Sequence, residues 1–307
     1  MQEIHDRPSG SLAPASGGER AAKHPPATIP QPAAPAGVDV LSDVLRAVRL
    51  TGAVFFRTEA TSPWVMELPD GAALAGAIDC AAQHVISYHV VTRGSCWGGL
   101  ADGPPIRLEA GDVLVLPRGD AYVMSIARAM RGGPPAAEVV EFLREMAAGR
   151  LPFTVTEGGG GPDRLDLVCG FLACDLRPFN PLMAALPRLL HVPRAFGSSG
   201  DPLDHLIELT LAEARERRAG GDCVRLRLSE LLFVEVVRRW LARLPDDEKG
   251  WLAALREPTV GRALRLLHER PAERWTLEKL ARDAGLSRSA LAERFAGIVG
   301  RPPMEYL

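Results

Sequence analysis

Near the C-terminus, "RSALAERFAGIVG" opens with Arg288, Ser289, Ala292 and Glu293 at helical spacing. They lie off the apolar stripe made by Leu291, Phe295 and Ile298 or Val299. Such side chains have a defined chemistry: arginine pairs with guanine O6 and N7, and glutamate accepts from cytosine N4. Arg294 and Arg282 are better placed for phosphate, which fixes register but carries no sequence information. This is the chemistry of reading a DNA groove, provided the segment is a helix presented N-terminus first.

The elements that would present it can be read from the preceding stretch, "WTLEKLARDAGLS". Thr276 is a good N-cap, because its hydroxyl can accept from an orphan amide of the first turn. Leu277, Leu280 and Ala281 point inward and Ala284 closes the helix. Gly285 stands where the chain must turn with positive φ, which glycine does cheaply. Leu286 plugs the turn and Ser287 caps the next helix. Helix, glycine turn and helix make a helix-turn-helix, whose second helix enters the major groove. A plain αα-hairpin has the same spacing. Upstream, "EPTVGRALRLLHERPAE" predicts a helix from Pro258 that buries Val260, Ala263, Leu264 and Leu267.

Charge is compatible with this reading. The 307-residue chain carries a net charge of −2, but ten basic residues face seven acidic ones from Trp251 onward, which leaves +3 there and −5 elsewhere. A basic end on an acidic body suits nucleic acid, although the excess is small.

Upstream the texture differs. Residues 1–37 are rich in Pro, Ala, Gly and Ser and cannot bury enough surface to offset ordering entropy; we expect a disordered tail, with a misplaced start codon as the alternative. "VDVLSDVLRAVRL" predicts a short amphipathic helix over 38–50. Then come "GAVFFRTEA", "HVISYHVVTRG", "SCWGGLA", "IRLEAGDVLVLPRG", "YVMSIA" and "LDLVCGFLACDL", separated by Gly, Pro and Asp, the pattern of a β-sandwich or barrel. An insert over 129–162 reads as a surface excursion with one helix and a flexible "EGGGGP" loop. From Asp201, an N-cap followed by Pro202, the period becomes helical. Leu203, Leu206, Ile207, Leu209, Thr210 and Ala214 mark one stripe; Leu228, Leu231, Leu232, Val234, Glu235 and Trp240 mark a second, longer helix. These faces serve either a dimer contact or packing against the barrel.

A β-barrel interior can hold a small ligand or metal, and a metal needs several His plus a carboxylate or thiolate converging from different strands. The candidates are His84, His89, Cys96, Cys169 and Cys174. His84 and His89 are five apart and face opposite sides of a strand, as do Cys169 and Cys174. We therefore expect no metal or other cofactor, with His84 and His89 as weak candidates. Cys169 turned toward Cys96 would offer a thiol switch; small buried hydrophobes are the plainer reading of both. The five cysteines form no C-x-x-C pair. No G-x-S-x-G, H-E-x-x-H or phosphate-loop motif is present, so we expect no enzyme. No apolar run reaches the ~18–20 residues of a membrane span and no secretory signal opens the chain, which predicts a cytoplasmic protein.

The stretch "LEKLARDAGLSRSALAERFAGIVGRPPMEYL" resembles the DNA-binding region of the AraC/XylS family of bacterial transcription regulators, through A-x-x-A-G-L-S, L-x-x-x-F and G-x-x-P-x-x-Y-L. "YHVVTRGSCW", "LEAGDVLVLPRGDAYVM", "VCGFL" and "PLMAALPRLLHV" resemble that family's cupin-type sensor domain. Tyr122 follows "PRGDA" where the family often has His, which weakens a metal site.

The resemblance implies an α+β protein: a tail (1–37), a cupin-like β-barrel or jelly-roll sensor (38–197), a helical linker or dimerisation region (198–250), and a partial DNA-binding domain (251–307) with its first helix-turn-helix only. "PPMEYL" matches the start of the family's linker helix, so the chain reads as truncated within that domain. The implied partners are double-stranded DNA, an unknown small-molecule or redox effector sensed through His89, Cys96, Tyr122 and Cys169, and a second copy of the chain. The rivals are a truncated sensor that dimerises without useful DNA binding, and a metal-dependent cupin enzyme with a helical tail.

Overall fold

Valine-rich and aromatic segments form ten strands among residues 41, 42, 45, 50–174, 183, 185–194, 201–215, 218–245 and 249–306, which the computed structural model describes. β1 (Leu50–Thr61), β3 (His84–Arg93), β6 (Val113–Leu116), β8 (Thr154–Gly158), β9 (Arg164–Cys174) and β10 (Leu190–Val192) make one sheet, ordered β10-β6-β3-β9-β1-β8. β2 (Val65–Leu68), β4 (Ser95–Leu100), β5 (Ile106–Glu109) and β7 (Tyr122–Ser125) make the other, ordered β2-β7-β4-β5. The recorded pairings are antiparallel except β1 with β8. The predicted tail and Val40, Val44 and Val48 of the first helix lie outside the described residues; Leu41, Ser42 and Leu45 are helical, and Leu50 already belongs to β1.

β3 and β9 are apolar nearly throughout because both their faces are covered. Val85, Val91, Leu165, Leu167, Cys169 and Phe171 enter a core shared with Cys96, Leu108, Tyr122 and Met124 of the second sheet. The alternate residues Ile86, Tyr88, Val90, Val168, Leu172 and Cys174 enter a second core shared with helices. Tyr88 packs directly on Gly170, where a Cβ would lie 2.0 Å from the ring Cζ. His84 and His89 do not converge, and Cys169 and Cys174 fall in different cores, as their spacing predicts.

The insert is more than a surface excursion. After α1 (Gly71–Ile78), which the sequence reading missed, α2 (Ala136–Ala147) buries Val139 and Leu143, and Phe142 meets Phe56 edge-on at 5.1 Å. β8, taken as part of a flexible loop, pairs with β1 from Arg57↔Thr154 to Thr61↔Gly158. Its partner lies about a hundred residues upstream, beyond the reach of local pattern.

α3 (Pro202–Arg215) and α4 (Gly221–Ala242) pack as a helical pair, and their buried faces cover the six-stranded sheet. Asp201 accepts from the Leu203 amide at 2.9 Å and pairs with Arg239, tying the start of α3 to the end of α4. The stripes need correction. α3 buries Leu203, Ile207 and Thr210, while Leu209 is 56% exposed and the Ala214 side chain lies outside the described set. α4 buries Leu232, Phe233, Val236, Val237 and Leu241, while Leu231 is 51% exposed. The run Leu231-Leu232-Phe233 offers two phases, and the one continuous with Val236 and Val237 faces the sheet. The remaining helices are α5 (Trp251–Arg256), not predicted, then α6 (Pro258–Glu269), α7 (Leu277–Ala284), α8 (Arg288–Val299) and α9 (Pro303–Tyr306).

Candidate nucleic-acid interface and sensor core

The unit of α7, turn and α8 is built from three local devices. Thr276 Oγ1 accepts from the Lys279 amide at 3.2 Å. Gly285 takes φ 82° and its amide reaches back to the carbonyls of Ala281 and Arg282, while the Leu286 amide donates to Ala281 at 2.8 Å. Ser287 Oγ accepts from the Ala290 amide at 3.2 Å. Leu280, Ala281, Ala284, Leu291 and Phe295 are buried between the helices, as their spacing predicts.

This leaves Arg288, Ser289 and Glu293 exposed and Ala292 half-buried at the N-terminal part of α8. The arginines are not idle. Arg288 Nη1 donates to Glu278 Oε1 of α7 at 2.8 Å, and this bond is the main reason the Glu278 carboxyl titrates below its usual range. Arg294 Nη1 lies 3.7 Å from Glu257, the N-cap of α6, and Arg282 Nε lies 3.4 Å from Asp283. All three arginines are more than half exposed, and surface pairs of this kind contribute about 0–1 kcal/mol. Exchanging a carboxylate for a phosphate or a base edge there costs little.

Sequence reading missed what anchors the unit from behind. The Tyr306 hydroxyl accepts from Trp251 Nε1 at 2.8 Å and lies 2.9 Å from His268 Nε2, and its ring meets Phe295 edge-on at 5.8 Å. One residue of α9 thereby joins α5, α6 and α8. The pairing of G-x-x-P with Y-L at the chain end was the available signal.

In the barrel, the structure brings His89, Tyr122, Cys96 and Cys169 into one buried core. His89 Nε2 lies 2.5 Å from the Tyr122 hydroxyl, and His89 Nδ1 is buried with no hydrogen-bond partner. Burial pushes the imidazole pKa down to about 3, so the ring is neutral. Burial also drives the Tyr122 hydroxyl well above its ordinary value and the Cys96 thiol up to about 12. Cys169 Sγ, 3.8 Å from Thr58 Oγ1, is raised for the same first reason. These groups are neutral, and Phe56, Phe171, Leu108, Leu114 and Met124 fill the space around them. His84 lies at the strand end, 2.8 Å from the Pro117 carbonyl. Among the described residues no three His, Cys, Asp or Glu side chains gather as metal ligands would.

A family model described as Cupin matches residues 39–242. A putative AraC-like transcription regulator of Streptomyces lividans is 32% identical over 232 residues, covering 74% of this chain and 71% of the relative. The HTH-type transcriptional regulator AlkR of Acinetobacter baylyi is 27% identical over 271 residues, covering 88% of this chain and 83% of the relative. Among solved structures, ToxT of Vibrio cholerae with bound unsaturated fatty acid aligns over 83% of this chain and 95% of its own, at 10% identity and a TM-score of 0.32.

Proposed function

The chain belongs to the AraC family of transcription regulators and carries a cupin effector-sensing domain, and from this premise we propose that α7 and α8 place Arg288, Ser289, Ala292 and Glu293 against base edges in a major groove. Arg282 and Arg294 then hold phosphates. The observation that carries this is the capped turn at Gly285, which leaves those side chains free of the packing stripe. The relatives are transcription regulators, not enzymes, and the metal-dependent enzyme is thereby set aside.

Residues 38–197 act as sensor, 198–250 as link and 251–307 as the DNA-contacting part. His89, Cys96, Tyr122 and Cys169, which share one buried core, are the barrel residues we take to respond to the effector. A homodimer through α3 and α4 is part of the proposal, supported by Leu209, Leu231 and Val224, which are large, apolar and 56%, 51% and 44% exposed. No helix among the described residues is long and apolar enough to cross a membrane. A cytoplasmic site of action follows from the DNA partner.

Fluorescence anisotropy of the full chain with its own upstream DNA and with scrambled DNA, over a salt series, tests the proposal. Preference for the native fragment at about 0.15–0.2 M salt is the expected result. Equal, weak binding to both that vanishes with salt would sink it.

A further inference from the structure

Tyr88 and Val90 of β3 stand opposite Val115 and Val113 of β6, on the face of the six-stranded sheet that the helices cover. The Tyr88 ring lies over Gly170 of β9, the neighbour on the other side of β3, where a Cβ would come within 2.0 Å of it. The valines are short, and a void of about 10 Å³ remains at this seam. Its floor is these four sheet residues. Its roof is Leu203 of α3 with Leu232, Phe233 and Val236 of α4. None of the lining side chains is charged.

Two hydroxyls are buried at the same seam without a hydrogen bond. The Tyr88 hydroxyl and Ser229 Oγ are both closed to solvent and unpartnered. Ser229 stands at helical spacing from Leu232, Phe233 and Val236, so it continues the roof face of α4. It is close enough to Tyr88 to offset part of the upward push that burial gives the phenol. A hydroxyl within a helix can bond the carbonyl one turn back. Thr210 of α3 does so, with Oγ1 2.7 Å from the Leu206 carbonyl oxygen, whereas Ser229 does not. Buried hydroxyls left unpaired are costly, and two at one seam call for a partner.

We propose that the seam is a binding site for one small neutral molecule, of roughly two to four heavy atoms, that carries a single hydroxyl or carbonyl group. A carbonyl oxygen accepts from both protein hydroxyls; an alcohol accepts from one and donates to the other. The valines, leucines and Phe233 take the apolar remainder. Ions are excluded, because nothing in the lining repays their lost hydration. The void as it stands takes about one water, so the ligand enters as α4 lifts from β6 and favours that lifted arrangement. α4 leads on to the helices that we read as contacting DNA. The site goes beyond that reading, and its occupancy is measured without DNA.

The test is saturation-transfer NMR on the full chain with 2-propanol, acetone and acetate, which share one skeleton and differ in their oxygens. We expect saturable binding of the alcohol and the ketone, at about millimolar affinity for so few atoms, and none of acetate. Ser229→Ala and Tyr88→Phe should each weaken it about three- to tenfold. Val236→Ile, which fills the void from the roof, should abolish it. Both hydroxyl variants should melt at or above the wild-type temperature in circular dichroism, because neither hydroxyl has a partner to lose. Three outcomes each overturn the proposal. They are no saturable binding, as for a void that holds water only; acetate bound as tightly as 2-propanol; and affinities that none of the three variants changes. A melt well below wild type for both hydroxyl variants would show that the hydroxyls are partnered, and it overturns the proposal as well.

Discussion

Glu278 on α7 holds Arg288 on α8 across the helix-turn-helix, with Nη1 and Oε1 2.8 Å apart. The arginine we propose to read a base is thus paired with an exposed acid. Arg288→Ala should cost about 1–3 kcal/mol on the native fragment and relax the preference at one base position. Glu278→Gln removes this exposed competitor, so affinity should rise by no more than a few-fold at low salt. Anisotropy with single-base variants of the fragment checks both. A uniform loss over all sequences for Arg288→Ala would instead make it a phosphate contact.

Tyr88 packs directly on Gly170, with no room for a Cβ between them. Gly170→Ala puts a Cβ inside the Tyr88 ring, and overpacking of this kind costs about 1–3 kcal/mol. Urea denaturation reads the loss. Combining Gly170→Ala with Tyr88→Ala should be less destabilising than the two single costs added together, because the clash has gone. Simple additivity would mean that the backbone had moved aside.

Stability should fall with acid through His89. Its folded pKa, about 3, is depressed from the ordinary 6.5, so between those values the unfolded chain binds more protons than the folded one. Stability from this group is full above pH 6.5 and is lost as pH falls toward 3, by about 2 kcal/mol at pH 5. His89→Gln should flatten that part of the urea-midpoint profile between pH 7.5 and 5. An unchanged slope would assign the acid sensitivity elsewhere.

Thiol chemistry should sort by burial. Cys80 and Cys223 are exposed, while Cys96, Cys169 and Cys174 are buried. Ellman's reagent should titrate two thiols per native chain quickly and the other three at the rate of unfolding. A third fast thiol, traced to Cys96 or Cys169, would show that the barrel opens and would restore an oxidant as effector.

If α3 and α4 carry a self-association surface, Leu209→Arg with Leu231→Arg should give a slower-sedimenting species in sedimentation velocity. The melting temperature of the monomer should change little, because both side chains are more than half exposed. A wild-type chain that already sediments as a monomer at micromolar concentration removes the dimer.

The helix-turn-helix was legible because its determinants are local. Thr276, Gly285 and Ser287 each act within four residues, and each does what its type and position imply. The alternation of β3 and β9 placed His84 against His89 and Cys169 against Cys174 correctly. β8 was not legible, because its partner strand is remote and its five residues run directly into the glycine-rich stretch that follows. The phase of α4 was lost for a different reason: Leu231, Leu232 and Phe233 are consecutive, and only the sheet decides which of them is covered.

β3 and β9 form a single plate with the barrel core on one face and the helical core on the other. A recombination joint near residue 197 would strip Ile86, Tyr88, Val90, Val168 and Leu172 of their cover. The sheet therefore needs α3 and α4 to keep its second face covered. Chimaeras that exchange input specificity between relatives should survive only when the crossover falls between Leu244 and Trp251, downstream of the hairpin.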